Sequence, residues 1–258
     1  MFDKRTTFPI KLGKRQRVIL VSFITLVFSV TCSLWTPYLP NVGYSIVGLL
    51  VIFGFMYSWI LDFDIKLHEY FKFIFPPMSF AFIGVYTGFV YTDVMQYLLG
   101  FWLFISMYVV LLAINVLNVS TVRTVPLKKA ALSSLFLLGI ANSFILVYTI
   151  AESVGWGLHI HVAGYIFYVL GFGLAYLNIA GSSIPWFEFL VYMLIAIKIS
   201  LLVAFMQSQL IVLAIVVTGW NFITLGLMQH HVERTSTTRF VREYLLVAII
   251  LLVAFILF

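Results

Sequence analysis

From Tyr97 to Leu117 the chain reads YLLGFWLFISMYVVLLAINVL, 21 residues without a charge or a proline. At 1.5 Å rise per residue a helix of that length is about 31 Å long, the thickness of a bilayer's hydrocarbon core. Asp93 lies before this run, and Arg123, Lys128 and Lys129 follow it, so its two ends differ in charge. Working outward, eight more apolar runs of similar length appear, at 18–35, 43–61, 73–91, 130–150, 158–178, 186–206, 208–228 and 240–258. The connections carry polar, Gly or Pro signals, as in Thr36-Pro37-Tyr38-Leu39-Pro40-Asn41 and Ala180-Gly181-Ser182-Ser183-Ile184-Pro185. The predicted fold is therefore all-α, a polytopic integral membrane bundle of eight or nine transmembrane helices with short loops. A basic cytoplasmic segment, 1–17, precedes one transmembrane domain, 18–258. No internal repeat is evident.

Composition points the same way. Hydrophobic residues make up 63% of the chain and charged ones 9%, against roughly 45–50% and 25% in soluble domains. A mean hydropathy of +1.12 leaves too little polar surface for a water-soluble protein of this size. The net charge of +6 has a simple source in the cytoplasmic excess of Lys and Arg. Nucleic acid is not an expected partner, because no basic cluster lies on a polar domain. With the N-terminus inside, the cytoplasmic segments hold six basic residues in 1–17, then Lys66 and Lys72, then Arg123, Lys128 and Lys129, then Arg234, Arg239 and Arg242. That accounts for fourteen of the fifteen basic residues. The external loops hold only Asp93 and Glu152. The expected location is a prokaryotic cytoplasmic membrane, with membrane lipids as partners, the N-terminus in and the C-terminus out.

The basic N-terminal segment and Val18–Trp35 have the charge pattern of a signal sequence. The apolar stretch exceeds the 7–15 residues of a cleaved signal and lacks a small-x-small exit, so an uncleaved anchor is expected. The single cysteine, Cys32, excludes an internal disulfide and a cysteine metal cluster. Pro76-Pro77 either starts the third helix or kinks it. In the first case Asp62–Phe75 lies along the inner surface with Phe63, Leu67, Phe71 and Ile74 on one face. The last run has 15 uncharged residues, 244–258, about 22 Å as a helix. It spans only with Arg242 and Glu243 among the headgroups. Gly84/Gly88, Gly139/Ser143 and Gly171/Ala175 are small-xxx-small pairs that mark close helix contacts.

The fifteenth basic residue, Lys198, lies inside the seventh run, near the bilayer midplane. A charge there costs at least about 2.5–3.5 kcal/mol, which makes it a candidate for function. Helix arithmetic puts Asn142 at similar depth, with Thr218 and Asn221 on the eighth run nearby. These four are the candidates for a substrate or ion path. No Asp or Glu shares their depth, which excludes a retinal-type lysine with its counter-ion. His159, His161 and Glu152 are outer-face candidates, although histidines two apart do not share a helix face. His230, His231 and Glu233 close the eighth run without a recognised metal spacing. Glu188 is ten residues from Lys198, too far to pair along one helix. Asn115 and Asn118 precede a polar turn, 120–129, suited to anionic headgroups. No catalytic constellation, cofactor motif or metal motif is found. The expected function is non-enzymatic: a small transporter-like carrier, or a membrane-embedded subunit with partner membrane subunits or as a homo-oligomer. The alternatives are an intramembrane enzyme acting on a lipid-linked substrate and a structural or assembly factor.

Overall fold

Each apolar run becomes a helix in the computed structural model, which describes residues 12–35, 42–61, 67–91, 93–120, 127–153, 164–181, 186–205, 210–233 and 238–257. Among the described residues the helices are α1 (Lys14–Trp35), α2 (Val42–Ile60), α3 (Leu67–Val90), α4 (Val94–Ser120) and α5 (Lys128–Glu152). They continue with α6 (Gly164–Ala180), α7 (Trp186–Phe205), α8 (Leu210–Val232) and α9 (Thr238–Leu257). No strand occurs among these residues. Five of the helices contain stretches long and apolar enough to cross a membrane: Lys14–Cys32, Lys72–Val90, Val94–Ser120, Lys128–Glu152 and Leu210–Val232.

The bundle is apolar outside and partly polar inside. Phe55, Phe101 and Phe187 are 68%, 61% and 76% exposed, whereas Ser22, Thr25, Ser29, Ser106, Asn142, Ser143 and Asn221 are buried. In water each exposed large apolar side chain forgoes about 1.5–3 kcal/mol of burial. In a bilayer the same surface costs nothing, and the polar groups gain by turning inward, where most of them find a partner. This distribution, with five helices long and apolar enough to cross a bilayer, is consistent with a membrane protein.

α3 sits at the centre of the first half, packed against α1, α2, α4, α5 and α6. Of its membrane-length window 83% is buried. Small residues allow this. A Cβ added at Gly88 would lie 2.1 Å from the Ser29 carbonyl oxygen of α1. One turn earlier, Ser29 Oγ donates to the Gly84 carbonyl at 2.8 Å. Gly88 is thus the close contact of α3 with α1, and the space left by Gly84 takes Leu103 of α4. The prolines do not start α3: the helix begins at Leu67 and runs through both Pro76 and Pro77. Proline has no N–H, so the helix lacks the bonds from Pro76 and Pro77 back to the Lys72 and Phe73 carbonyls, while Ser79 Oγ back-bonds to the carbonyls of Phe75 (3.0 Å) and Pro76 (2.8 Å). No separate surface helix precedes the prolines among the described residues: Leu67–Phe75 is the start of α3 itself, and Phe73 and Ile74 are buried in the bundle. Phe63 lies outside the described residues.

In the second half α8 packs on α5, α6, α7 and α9. α9 rests on it through a glycine seam, Leu251 meeting Gly219 and Tyr244 meeting Gly226. α6 contains a π-helical stretch, Val169–Leu174. There Gly173 admits the Tyr192 ring, to which an added Cβ would approach within 2.3 Å.

Candidate functional site

α7 is apolar on every side, so its sequence gives Lys198 a depth but no direction. Packing supplies the direction. Phe189, Tyr192 and Ala196 are buried, while Phe187, Leu190, Leu194 and Lys198 are exposed. The exposed set recurs every three or four residues and forms one stripe along the helix. Lys198 follows buried Ala196 by two residues, about 200° around the axis. It faces away from the bundle.

Asn142, Thr218 and Asn221 face inward. Asn221 Nδ2 donates to Ser143 Oγ at 3.0 Å and to the Tyr165 hydroxyl at 2.8 Å. The same hydroxyl lies 3.2 Å from Asn221 Oδ1, to which it can donate. This joins α5, α6 and α8 by side chains alone. Asn142 Nδ2 donates to the Leu138 carbonyl at 3.0 Å. Asn142 Oδ1 and Thr218 Oγ1 are buried with no hydrogen-bond partner among the described residues. The four path candidates therefore divide, with three at or beside one buried polar seam and Lys198 on the opposite face of a neighbouring helix.

The seam extends along α6. The Tyr168 hydroxyl donates to the Gly139 carbonyl. The rings of Tyr168, Phe172 and Tyr176 stack at 5.6 and 5.8 Å through the π-helical stretch. An added Cβ at Gly139 would lie 1.9 Å from Phe172 Cζ, so this glycine makes room for the stack. At the far end Tyr176 donates to Gln229 Oε1 at 2.6 Å, and Gln229 Nε2 to Glu233 Oε1 at 2.9 Å. Glu233 is thereby held within its own helix end.

The helix ends carry further ties. Glu152 is exposed, and its Oε2 accepts from the Tyr91 hydroxyl at 2.5 Å, while Ser153 Oγ lies 3.3 Å from the Tyr86 hydroxyl. Burial, then the Glu152 carboxylate, pushes the Tyr91 hydroxyl well above the ordinary tyrosine range. His159 and His161 lie outside the described residues. At the other end His231 Nε2 lies 3.4 Å from Glu188 Oε1, so the local partner of Glu188 is on α8. The His230 ring packs 6.1 Å from that of Tyr244. Among the described residues no three His, Cys, Asp or Glu side chains converge on a point that could hold a metal.

Three structural residues escaped the sequence reading. Gln96, one position before the fourth apolar run, is buried and donates to the Val30 carbonyl at 2.6 Å. Arg17 donates to the Trp59 carbonyl at 3.1 Å and lies 5.3 Å from the Trp59 ring centre, joining the start of α1 to the end of α2. Tyr165 completes the Asn221 cluster. Gln96 interrupts an apolar stretch and was a usable signal, whereas one tyrosine among fourteen was not.

No protein family, curated protein or solved structure matches this chain.

Proposed function

We propose that this protein is a membrane-embedded subunit of a larger assembly. It would cross a prokaryotic cytoplasmic membrane eight or nine times, with the Lys14 end of α1 on the cytoplasmic side. The observation that carries the assembly reading is the outward position of Lys198, inside an otherwise apolar face of α7. A charge facing lipid at that depth is costly unless something meets it there. The orientation rests on the separation of fourteen basic residues from Asp93 and Glu152. Arg17 at the end of α2 agrees with it, since α1 would start and α2 end on one side.

Extraction of native membranes with a mild detergent, followed by native electrophoresis and mass spectrometry, tests the reading. The expected particle contains other chains in fixed ratio to this one. A particle holding a single 29.4 kDa protomer would sink it.

A carrier is the second reading, favoured by Asn142 Oδ1 and Thr218 Oγ1, two orphaned polar atoms beside the Asn221 cluster and close to a π-helical stretch. Its test is labelling of Asn142→Cys by a membrane-impermeant maleimide in a Cys32→Ser background. Labelling from either side supports a path, and protection from both sides removes it.

A further inference from the structure

We propose that the outward face of α7 is the docking site for one transmembrane helix of a different protein, a helix that carries a carboxylate in its apolar middle. The proposal rests on the assembly reading above and names the chemistry of the partner.

The face is defined by Phe187, Leu190, Leu194 and Lys198, all exposed on one side of α7. Lys198 is twelve residues from Trp186, about 18 Å along the helix, and seven from Phe205, about 10 Å. Snorkelling moves an ammonium group several ångströms toward the nearer headgroups and leaves it short of them. The charge therefore needs a counter-charge at its own depth.

This chain supplies none. Its nine acidic residues are Asp3, Asp62, Asp64, Glu69, Asp93, Glu152, Glu188, Glu233 and Glu243. Among the described residues, Glu69, Asp93, Glu152, Glu188 and Glu233 lie at or just beyond helix ends, and Glu243 in the second turn of α9. A second copy docked through this face would bring Lys198 against Lys198, because a two-fold interface is self-complementary. Like charges at that depth repel strongly, so the homodimer is excluded at this surface. A different chain with an Asp or Glu opposite Lys198 satisfies both the charge and the apolar stripe. Small interface residues are absent from the stripe, so apolar packing alone gives it little specificity. The ion pair sets the partner and its register.

The test uses the purified full-length chain in phosphatidylcholine vesicles with synthetic Leu/Ala transmembrane helices carrying a central Glu, Gln or Leu and a photoreactive leucine one turn away. The Glu helix is expected to cross-link to α7 about tenfold more than the Leu helix, as one strong interhelical polar contact allows. Lys198→Leu removes that preference and Lys198→Arg keeps it. Equal cross-linking of the Glu and Leu helices, adducts that map to another helix, or a preference surviving Lys198→Leu overturns the proposal. Equal cross-linking would instead assign the ammonium to lipid phosphate. Particle size in native membranes separates this from the broader reading. A multi-chain particle without Lys198-dependent docking leaves the assembly standing and removes the α7 site. A lone protomer with Lys198-dependent docking does the reverse.

Discussion

The two halves of the bundle are held together differently. Between α1 and α3 the contact is one of shape: Gly88 lets the backbones approach until the Ser29 carbonyl fills the space a side chain would need, and one hydroxyl bridges to Gly84. Between α5, α6 and α8 the contact is chemical: the Asn221 amide bonds Ser143 and Tyr165 across three helices. Both solve the problem of association without a hydrophobic driving force, since lipid is as apolar as the helix faces. They fail differently. A shape seam has no tolerance for an added methyl group, because the obstacle is a backbone atom that cannot rotate away. A polar seam survives loss of one bond, because the remaining groups can re-pair or turn to their own helix carbonyls.

The sharpest way to break the comparison is Gly88→Ala. Its methyl group must displace α1 bodily, and a loss of about 1–3 kcal/mol is expected, read as a lower midpoint in detergent-titrated unfolding. A midpoint equal to that of the unaltered chain would mean that the α1–α3 approach is looser than 2.1 Å to the added carbon implies. Asn221→Leu, which keeps the branching of the side chain and removes its polar atoms, comes next with about 0.6–1.7 kcal/mol. Its double-mutant cycle with Tyr165→Phe should show coupling of the same order, whereas a cycle between Gly88→Ala and Asn221→Leu should be additive. Coupling between the two seams would erase the distinction. Lys198→Leu removes a lipid-facing charge and should leave the isolated protomer's stability unchanged or raise it by up to about 3 kcal/mol. A clear loss would place the ammonium in an internal contact.

What was legible in the sequence follows the same division. Hydropathy located the helices, because each apolar run falls on one helix and five of them are long and apolar enough to cross a bilayer. It named Gly84, Gly88, Gly139 and Ser143 as close contacts, because small residues at four-residue spacing are distinctive in apolar helices. It gave Asn142, Asn221 and Lys198 their places along their helices. It could not give rotation about the helix axis. A soluble helix reveals its inward face by its apolar stripe, but α7 is apolar all round, so nothing told that Phe189, Tyr192 and Ala196 face in and Lys198 out. Pairings were illegible for a related reason. Tyr165 meets Asn221 only because α6 and α8 cross there, and long-range crossings leave no local trace. The two prolines of α3 misled in one alternative, since the helix runs through both of them.

The smallest expected effect tests a tie at the end of the bundle. Tyr91, just beyond α3, donates to Glu152 at the end of α5. Tyr91→Phe removes one charge-assisted bond in a partly wet site, and about 0.5–1.5 kcal/mol is expected at pH 8. Its pH dependence is more diagnostic than its size. Burial first, and the carboxylate second, raise the hydroxyl above the ordinary value, which is about 10. The folded state therefore holds the proton where the unfolded chain releases it. The contribution is complete below pH 10 and declines as pH rises through 10 toward the higher folded value. The difference in unfolding midpoint between the unaltered chain and Tyr91→Phe should be flat from pH 7 to 9 and shrink above 10. Other tyrosines and lysines titrate there too, but they cancel in the difference. A difference that grew above pH 10 would reverse the sign and show the hydroxyl ionising more easily in the folded protein. Glu152→Gln keeps an acceptor and removes the charge. It should retain most of the stability at pH 8 and reduce the alkaline dependence without abolishing it, since burial is the larger cause.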